Sequence, residues 1–503
     1  MKIGLKRISG CLCFVLFAYA ASIALLRGSC FFELNPLIVL TGCAVIAFAA
    51  YKVGHGKTAV KRSTSIIRTS IILSACVLYF ILQLWLANVF QISFNYPAWD
   101  FSIVARSAAM KVIFGIDAAS SYEEYYCLFP NNAPLYFVIT GVMTFLKNIG
   151  IKSVAYGACV FNVLMIDLSI MFSSFAAAKI AGKRCAGICA LLLSFLTLPI
   201  LGYSAIYYTD TLTMLFPVLT LFLWTTVRDG KTDRVQSAVI LALMSGICAL
   251  GAQLKISVAI ALVAVIIDVI LSRCFKEAVC CILIIVLVFT AVYLPLSNAV
   301  KNSPEMPHTD KYGTVPKVHW IMMGLYANGN YHDPDYQLTL SFPSEQREEM
   351  VIDEIGKRIS EYGFTGMLKH LDSKMEFIYG DGSYFVTMKL ERDRQNDSFL
   401  DNWIKWDGEK TLYTSYMYQF LYLLMWICVS LSGFLCMIKK ETGIKLLPFS
   451  LACLGLMMFE WIWEARSRYL FNFIPVTITI AAVILSNDLN IIKSRSEKVS
   501  VDE

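Results

Sequence analysis

Charge is scarce in this chain: only 16% of its 503 residues are Asp, Glu, Lys or Arg, where a soluble domain carries about 25%. That shortage excludes an ordinary soluble globular protein. No glycine-rich phosphate loop is present, which argues against a nucleotide-driven reaction. Histidines are few: His55, His308, His319, His332 and His370. Three of them fall within residues 299–335 beside Asp310, Asp333 and Asp335, but none has metal-ligand spacing such as H-E-x-x-H. No metal ligand set or cofactor is therefore assigned, and a divalent metal stays open as an alternative. Cysteine is absent from the longest polar stretch, residues 299–412, so no disulfide framework is expected outside the membrane, as suits a bacterial surface. Most of the sixteen cysteines lie in apolar runs, among them Cys76, Cys159, Cys248 and Cys453, where they act as small hydrophobes. There is no internal repeat and no low-complexity tract, and no clear cleavage site follows the apolar run at 9–26, which reads as a first membrane helix.

What the chain has is apolar length. Segments near 9–26, 35–51, 70–91, 131–149, 153–178, 184–203, 211–227, 235–252, 256–272, 278–297, 413–437, 446–463 and 468–486 predict an all-α polytopic membrane protein of about 12 or 13 spans. Basic residues orient them. Lys52, Lys57, Lys61, Arg62 and Arg68; Arg228, Lys231 and Arg234; Arg273 and Lys276; Lys439, Lys440 and Lys445; and Lys493, Arg495 and Lys498 belong in the cytoplasm by the positive-inside rule. Residues 92–130, the surroundings of Asp210, residues 299–412 and the turn at Glu464 then fall outside. This divides the chain into a membrane module at 1–298 with an outer loop at 92–130, an extracytoplasmic loop domain at 299–412, C-terminal membrane helices at 413–486 and a cytoplasmic tail at 487–503. Three apolar segments separate the first two outer pieces where an even number of crossings is needed. Either one does not cross or two share a bent path; Lys179, Lys183 and Arg184 make 153–178 the odd one. Residues 101–116 alternate Phe101, Val104, Ala108 and Val112 with polar residues and predict a helix lying in the interface. Residues 344–361 predict a surface helix capped by Ser344.

Charged residues in or near apolar segments are costly and are candidates for function. Asp100 in NYPAWDFS fits a general base or a helix N-cap. Asp210 in YYTDTLTM invites the same two readings, and its neighbours Tyr207 and Tyr208 fit an interface belt or a sugar-stacking surface. Lys255 in GAQLKISVA is either a snorkelling lysine or one aimed at a lipid phosphate. The stretch EWIWEARSRYLFNFIP puts Glu460, Glu464, Arg466 and Arg468 between two spans. Two arginines on the outer face break the charge rule, and arginine's planar fork suits phosphate. The structural alternative is a Glu464–Arg468 pair at i,i+4.

The pieces PAWDFSIVARSA at 97–108, FPNNAPLYF at 129–137, YYTDTLTMLF at 207–216, QLKISVAI at 253–260, HWIMMGL at 319–325 and WEARSRYL at 463–470 resemble, in order along most of the chain, the GT-C membrane glycosyltransferases. The likeness is to the protein mannosyltransferase and aminoarabinose transferase type, and most to mannosyltransferase-like membrane proteins of Gram-positive bacteria. The resemblance implies a GT-C-like fold and an enzyme that moves a sugar from a polyprenyl-phosphate donor to a cell-envelope glycan, lipid or protein acceptor. It implies Asp100 as the base, Asp210 as the second external acid, Arg466 and Arg468 facing the phosphate, and roles in substrate binding for Lys255, Glu464, Tyr207, Tyr208 and His319. The chain departs from the pattern in having a lone Asp100 in place of an Asp-Glu pair, and Ile256 and Ser257 where Pro and Thr are expected. Membrane lipids are expected partners and nucleic acid is not. The competing class is a transporter or flippase of lipid-linked glycans, which should show mid-membrane charges and paired repeats; neither is read from the sequence.

Overall fold

The computed structural model describes residues 2–28, 32–56, 62–90, 99–230, 232–309, 311–391 and 397–487. Pro97 and Ala98 of the first motif, the rest of loop residues 92–96, Lys57, Lys61, Lys231, Asp310 and the tail with Lys493, Arg495 and Lys498 lie outside the described residues.

The chain is an all-α polytopic membrane protein. Among the described residues ten helices are long and apolar enough to cross a bilayer, and two shorter apolar ones accompany them, Arg184–Leu196 and Ile256–Ser272. The centre of the bundle is the helix Thr411–Met437, flanked by Lys2–Leu26. These two lie backbone to backbone where glycines meet. A Cβ at Gly10 would sit 2.8 Å from the Gly433 carbonyl oxygen, and one at Gly433 2.5 Å from the Phe14 amide nitrogen. Small residues at the crossing permit that approach, which drives helix packing in lipid by dispersion rather than by hydrophobicity. The helix Phe275–Lys301 is at the other extreme: it packs on Arg234–Leu254 and only Ala278 and Ile285 are buried.

The segment between 131 and 203 corrects the sequence reading. The expected odd segment, 153–178, is the 28-residue helix Val154–Ala181, about 42 Å long at 1.5 Å per residue and ample for a full crossing. The odd one is Ala133–Asn148, whose 16 residues reach only about 24 Å. It lies beside the helix Asp100–Phe114, with Lys147 Nζ donating to the Val112 carbonyl at 2.6 Å. Arg184–Leu196 then continues through a break at Thr197 into Leu198–Tyr203. Two crossings, out along Val154–Ala181 and back, return the chain to the end that carries Asp100.

Asp100–Phe114 matches the expected interfacial helix, with Phe101, Val104, Ala105 and Ala108 buried and Phe114 exposed. The surface helix is longer than expected and is not capped by Ser344. It runs Arg347–Tyr379, its N-cap is Gln346 without a side-chain bond, and it bends at Gly363, where φ is 55°. Glu348 and Glu349 in its first turn complement the helix dipole in place of a cap. Nor is 299–412 a detached piece. Ile378, Tyr379, Tyr384, Val386 and Leu390 belong to the buried core, with Tyr203 Oη donating to the Tyr384 carbonyl at 2.8 Å and Tyr422 Oη to that of Ile378 at 3.1 Å.

The basic residues gather at the opposite end from Asp100. Arg7 Nε donates to the Met437 carbonyl at 3.1 Å, Arg228 to those of Ile444 and Lys445 at 2.8 and 3.0 Å, and Arg273 to that of Val227 at 2.8 Å. The bundle thus has one basic end and one end where acids, arginines and tyrosines meet.

Candidate functional site

Asp210 is the hub. It stands one residue inside the short helix Thr209–Leu212, whose N-cap is Tyr208 with no side-chain bond, so the N-cap reading does not apply. Its carboxylate is 1% exposed. Lys255 Nζ lies 2.7 Å from Oδ1 and Arg468 Nε 3.5 Å from Oδ2. Lys255 can reach because it terminates Arg234–Leu254 in extended backbone, so it is an ion-pair partner rather than a snorkelling residue.

Arg468 is 6% exposed and lies among rings: its guanidinium carbon is 5.4 Å from the Trp99 centroid, 5.7 Å from Tyr208 and 5.3 Å from Tyr469. Its Nε and Nη1 have no hydrogen-bond partner, and neither does Asp210 Oδ2. The expected i,i+4 pair with Glu464 does not form. Trp463 and Arg466 are extended, and helical backbone starts only at Ser467, so positions 464 and 468 do not share a helix face. Glu464 instead accepts from Arg466 Nε at 3.0 Å and from Tyr469 Oη at 2.8 Å. Arg466 is held between the rings of Phe385, 5.4 Å away, and Tyr331, 5.9 Å away.

Asp100 is also not a cap. Trp99 is the N-cap residue, without a side-chain bond, and Asp100 is the first helical residue. Its half-buried carboxylate accepts from Tyr125 Oη at 3.0 Å and from Tyr208 Oη at 3.4 Å. Burial, then the nearby Asp100 charge, raises the Tyr125 hydroxyl well above its ordinary pKa, so it remains a donor. Asn132 Nδ2 fixes Tyr125 Oη at 2.7 Å. Tyr208 therefore bridges the two acids, its hydroxyl on Asp100 and its ring face toward Arg468. Tyr207 is buried edge-on against Phe101 with its hydroxyl unpartnered, which makes it a wall and not an exposed sugar platform.

Glu460 sits behind this cluster, fully buried, near Lys255 and Lys374, with no side-chain hydrogen bond to either carboxylate oxygen. Lys374 donates to the carbonyls of Gly324, Trp461 and Trp463 at 2.9, 3.0 and 2.7 Å and so fastens the helix Arg347–Tyr379 to the strand of backbone that carries Glu464. Burial lowers its pKa to about 8, partly offset by Glu460 and Glu464. His319 does not join the acids. It is buried in the 299–412 region, with Nδ1 2.7 Å from Thr339 Oγ1 and Nε2 unpartnered. Burial lowers its pKa to about 4.

Three elements were not singled out from the sequence. Lys389 Nζ lies 3.9 Å over the Trp99 ring. Asp381 organises the turn beside Arg466, accepting from Ser383, from the Phe385 amide at 3.0 Å and from Ser467 Oγ at 2.6 Å, while Tyr384 and Phe385 take φ of 51° and 65°. Non-glycine residues rarely adopt such angles, and a tight supporting network is what sustains them. Asp167 stands mid-way along the span Val154–Ala181 and accepts from Gln83 Nε2 at 2.7 Å; a lone acid at the centre of an apolar run is the signal that marks it. Among the described residues no group of three or more His, Cys, Asp or Glu could hold a metal.

No curated protein matches the chain. One family model, described as conserved hypothetical integral membrane protein, matches residues 13–489. That span begins inside the first of the ten apolar helices, takes in the other nine whole, and holds every residue of the acid–arginine cluster at one end of the bundle, so by nearly its whole length the chain belongs to this family of conserved hypothetical integral membrane proteins.

Proposed function

We propose that the protein is a glycosyltransferase that moves a sugar from a polyprenyl-phosphate donor to an acceptor outside the cytoplasm, with inversion. The observation that carries this reading is Arg468, a nearly buried guanidinium ion-paired to Asp210 at 3.5 Å whose Nε and Nη1 form no hydrogen bond among the described residues. Leaving a buried donor unmet costs about 1–3 kcal/mol, and the phosphodiester of the donor, which becomes a monoester as the sugar leaves, would satisfy it through charge-assisted bonds. The aromatic cage excludes water and strengthens that interaction. Asp210 holds Arg468 and Lys255 in place before the donor arrives, which is electrostatic preorganisation. Asp100 is the base: the acceptor O–H attacks the anomeric carbon, its proton passes to Asp100, and the C–O bond to phosphate breaks with its electron pair leaving on the phosphate oxygen. The ion-paired Asp210 serves as organiser of the cations, and Arg466 flanks the entry. The positive-inside rule assigns the basic opposite end of the bundle to the cytoplasm, which supports a site that acts at the outer surface of the cell membrane.

A second reading, translocation of a lipid-linked glycan, is favoured by one observation, the mid-span Asp167 with Gln83. Purified protein in liposomes with polyprenyl-phosphate hexoses separates the two. Transfer predicts release of free polyprenyl phosphate; translocation predicts movement of intact donor between leaflets. Movement without release, across a panel of hexoses, overturns the transferase reading. Cysteine labelling that places residues 299–412 in the cytoplasm would also overturn it, because donor, acceptor and base would no longer meet.

A further inference from the structure

Beyond Asp100 lies a tier of rings that the catalytic reading does not use. Tyr125, whose hydroxyl donates to Asp100, is 5.4 Å centroid to centroid from Phe129. Phe129 is 6.0 Å from Tyr336 at an interplanar angle of 23°, and 6.3 Å from Trp320. Phe129, Trp320 and Tyr336 are all half-exposed. They come from sequence segments nearly 200 positions apart, and the chain stitches those segments together. Val315 N donates to the Leu128 carbonyl at 3.1 Å, Thr314 Oγ1 to that of Cys127 at 3.1 Å, and Arg347 Nη1 to those of Tyr312 and Thr314 at 3.3 and 3.2 Å. His319, locked on Thr339, packs under Trp320 and Tyr336 at 5.0 and 6.4 Å. The rings are therefore a rigid surface and not a loose loop. Burial raises the Tyr336 hydroxyl above its ordinary pKa, the charges of Glu124, Asp333 and Asp100 add to the rise, and Arg347 opposes it; Glu124 and Asp333 are exposed.

We infer that the tier Tyr125–Phe129–Tyr336–Trp320 binds a carbohydrate, so that the acceptor is a glycan presented to Asp100 by stacking on these rings. Flat aromatic faces cover the C–H faces of a pyranose, and adjacent carboxylates accept its hydroxyls. The same carboxylates repel phospholipid headgroups, and the acidic rim does not suit an aromatic belt sunk among acyl chains. The order of the rings sets a direction: sugar residues furthest from the reaction lie on Trp320 and Tyr336, and the reacting hydroxyl lies past Tyr125, at Asp100.

The inference rests on the transferase reading for the role of Asp100, and the test separates the two. Full-length protein in nanodiscs is titrated with tetrasaccharides of glucose, mannose and N-acetylglucosamine, and with tetralysine. At least one tetrasaccharide is expected to bind saturably. Trp320→Ala and Tyr336→Ala should each weaken it by about tenfold, the loss of one stacked ring, while Trp320→Phe should recover most of the affinity. A melting temperature equal to that of the wild type confirms that the alanine variants are folded, and Trp320→Leu, which keeps apolar volume but offers no ring face and should lose as much affinity, carries the test where alanine does not fold. Absence of saturable binding by every tetrasaccharide, binding untouched in Trp320→Ala, or binding of tetralysine in place of sugars would each overturn the inference. Glycan binding without release of polyprenyl phosphate would sink the transferase reading alone. Release of polyprenyl phosphate unaffected by Trp320→Ala would sink the glycan tier alone.

Discussion

Among the described residues, two of the buried aspartate–arginine clusters stand at opposite ends of the bundle, and they are built differently. At the basic end Asp268 receives Arg228 Nε at 2.8 Å and Nη2 at 3.1 Å, Trp224 Nε1 at 2.9 Å and Ser272 Oγ at 3.3 Å. The remaining Arg228 donors reach the carbonyls of Ile444 and Lys445. At the other end Asp210 Oδ2 and Arg468 Nε face each other at 3.5 Å as an ion pair without a hydrogen bond, Arg468 Nη1 has no hydrogen-bond partner among the described residues, and Glu460 has no side-chain hydrogen bond. The first cluster closes on itself and locks helices together. The second keeps unmet donors in a buried place, where each costs stability. Charge pairing is common to both clusters; completeness of hydrogen bonding is what differs between them.

The sharpest break of this comparison is Arg228→Ala. It strands Asp268 in the bundle and should destabilise the protein by about 3–5 kcal/mol, read as a lower unfolding midpoint in detergent. Asp100→Asn should do the reverse. Asparagine can still accept from a tyrosine and forgoes only a small favourable charge–dipole term in the first helical turn, so the unfolding midpoint should stay near that of the wild type while release of polyprenyl phosphate falls by roughly 10²–10⁴-fold. A stable, fully active Asp100→Asn would remove Asp100 as the base.

A third test concerns pH. His319 has a folded pKa of about 4, below the ordinary value of 6.5, because burial disfavours its charge. The unfolded chain therefore binds the extra proton between pH 6.5 and 4. Stability is full above pH 6.5 and should fall by about 3 kcal/mol as the pH approaches 4; a flat profile in chemical unfolding would show that His319 does not titrate this way. The smallest effect is expected at the incomplete cluster. Arg468→Ala should weaken donor use by about 1.5–3 kcal/mol, and Arg468→Lys should restore part of it, since a point charge lacks the fork. If Arg468→Ala destabilises as much as Arg228→Ala and leaves donor use intact, the two clusters are alike and the contrast fails.

Asp100, Asp210, Lys255 and Arg468 could be read from the chain because a charge beside an apolar run is conspicuous. Lys389 could not, since it precedes Glu391 and Arg392 in a polar stretch where a lysine is ordinary. Asp381 in DGS has the look of a plain turn, and only the packed structure turns it toward Ser467. The i,i+4 pairing of Glu464 with Arg468 failed because that rule presumes a helix, and the backbone there is extended.

The sequence by itself determined the class of protein and the positions of nearly all its membrane helices, because the cost of exposing backbone and charge to lipid is local and additive along each segment. It also determined which end of each helix is basic. Tertiary structure alone decided which of three segments between 131 and 203 stays at one end, which carboxylate pairs with which cation, and that Phe129 meets Tyr336. Those are outcomes of helix crossing and loop packing between residues tens to hundreds of positions apart. No periodicity or charge rule along the chain encodes a meeting of that kind; the close fit of side chains in the folded bundle does.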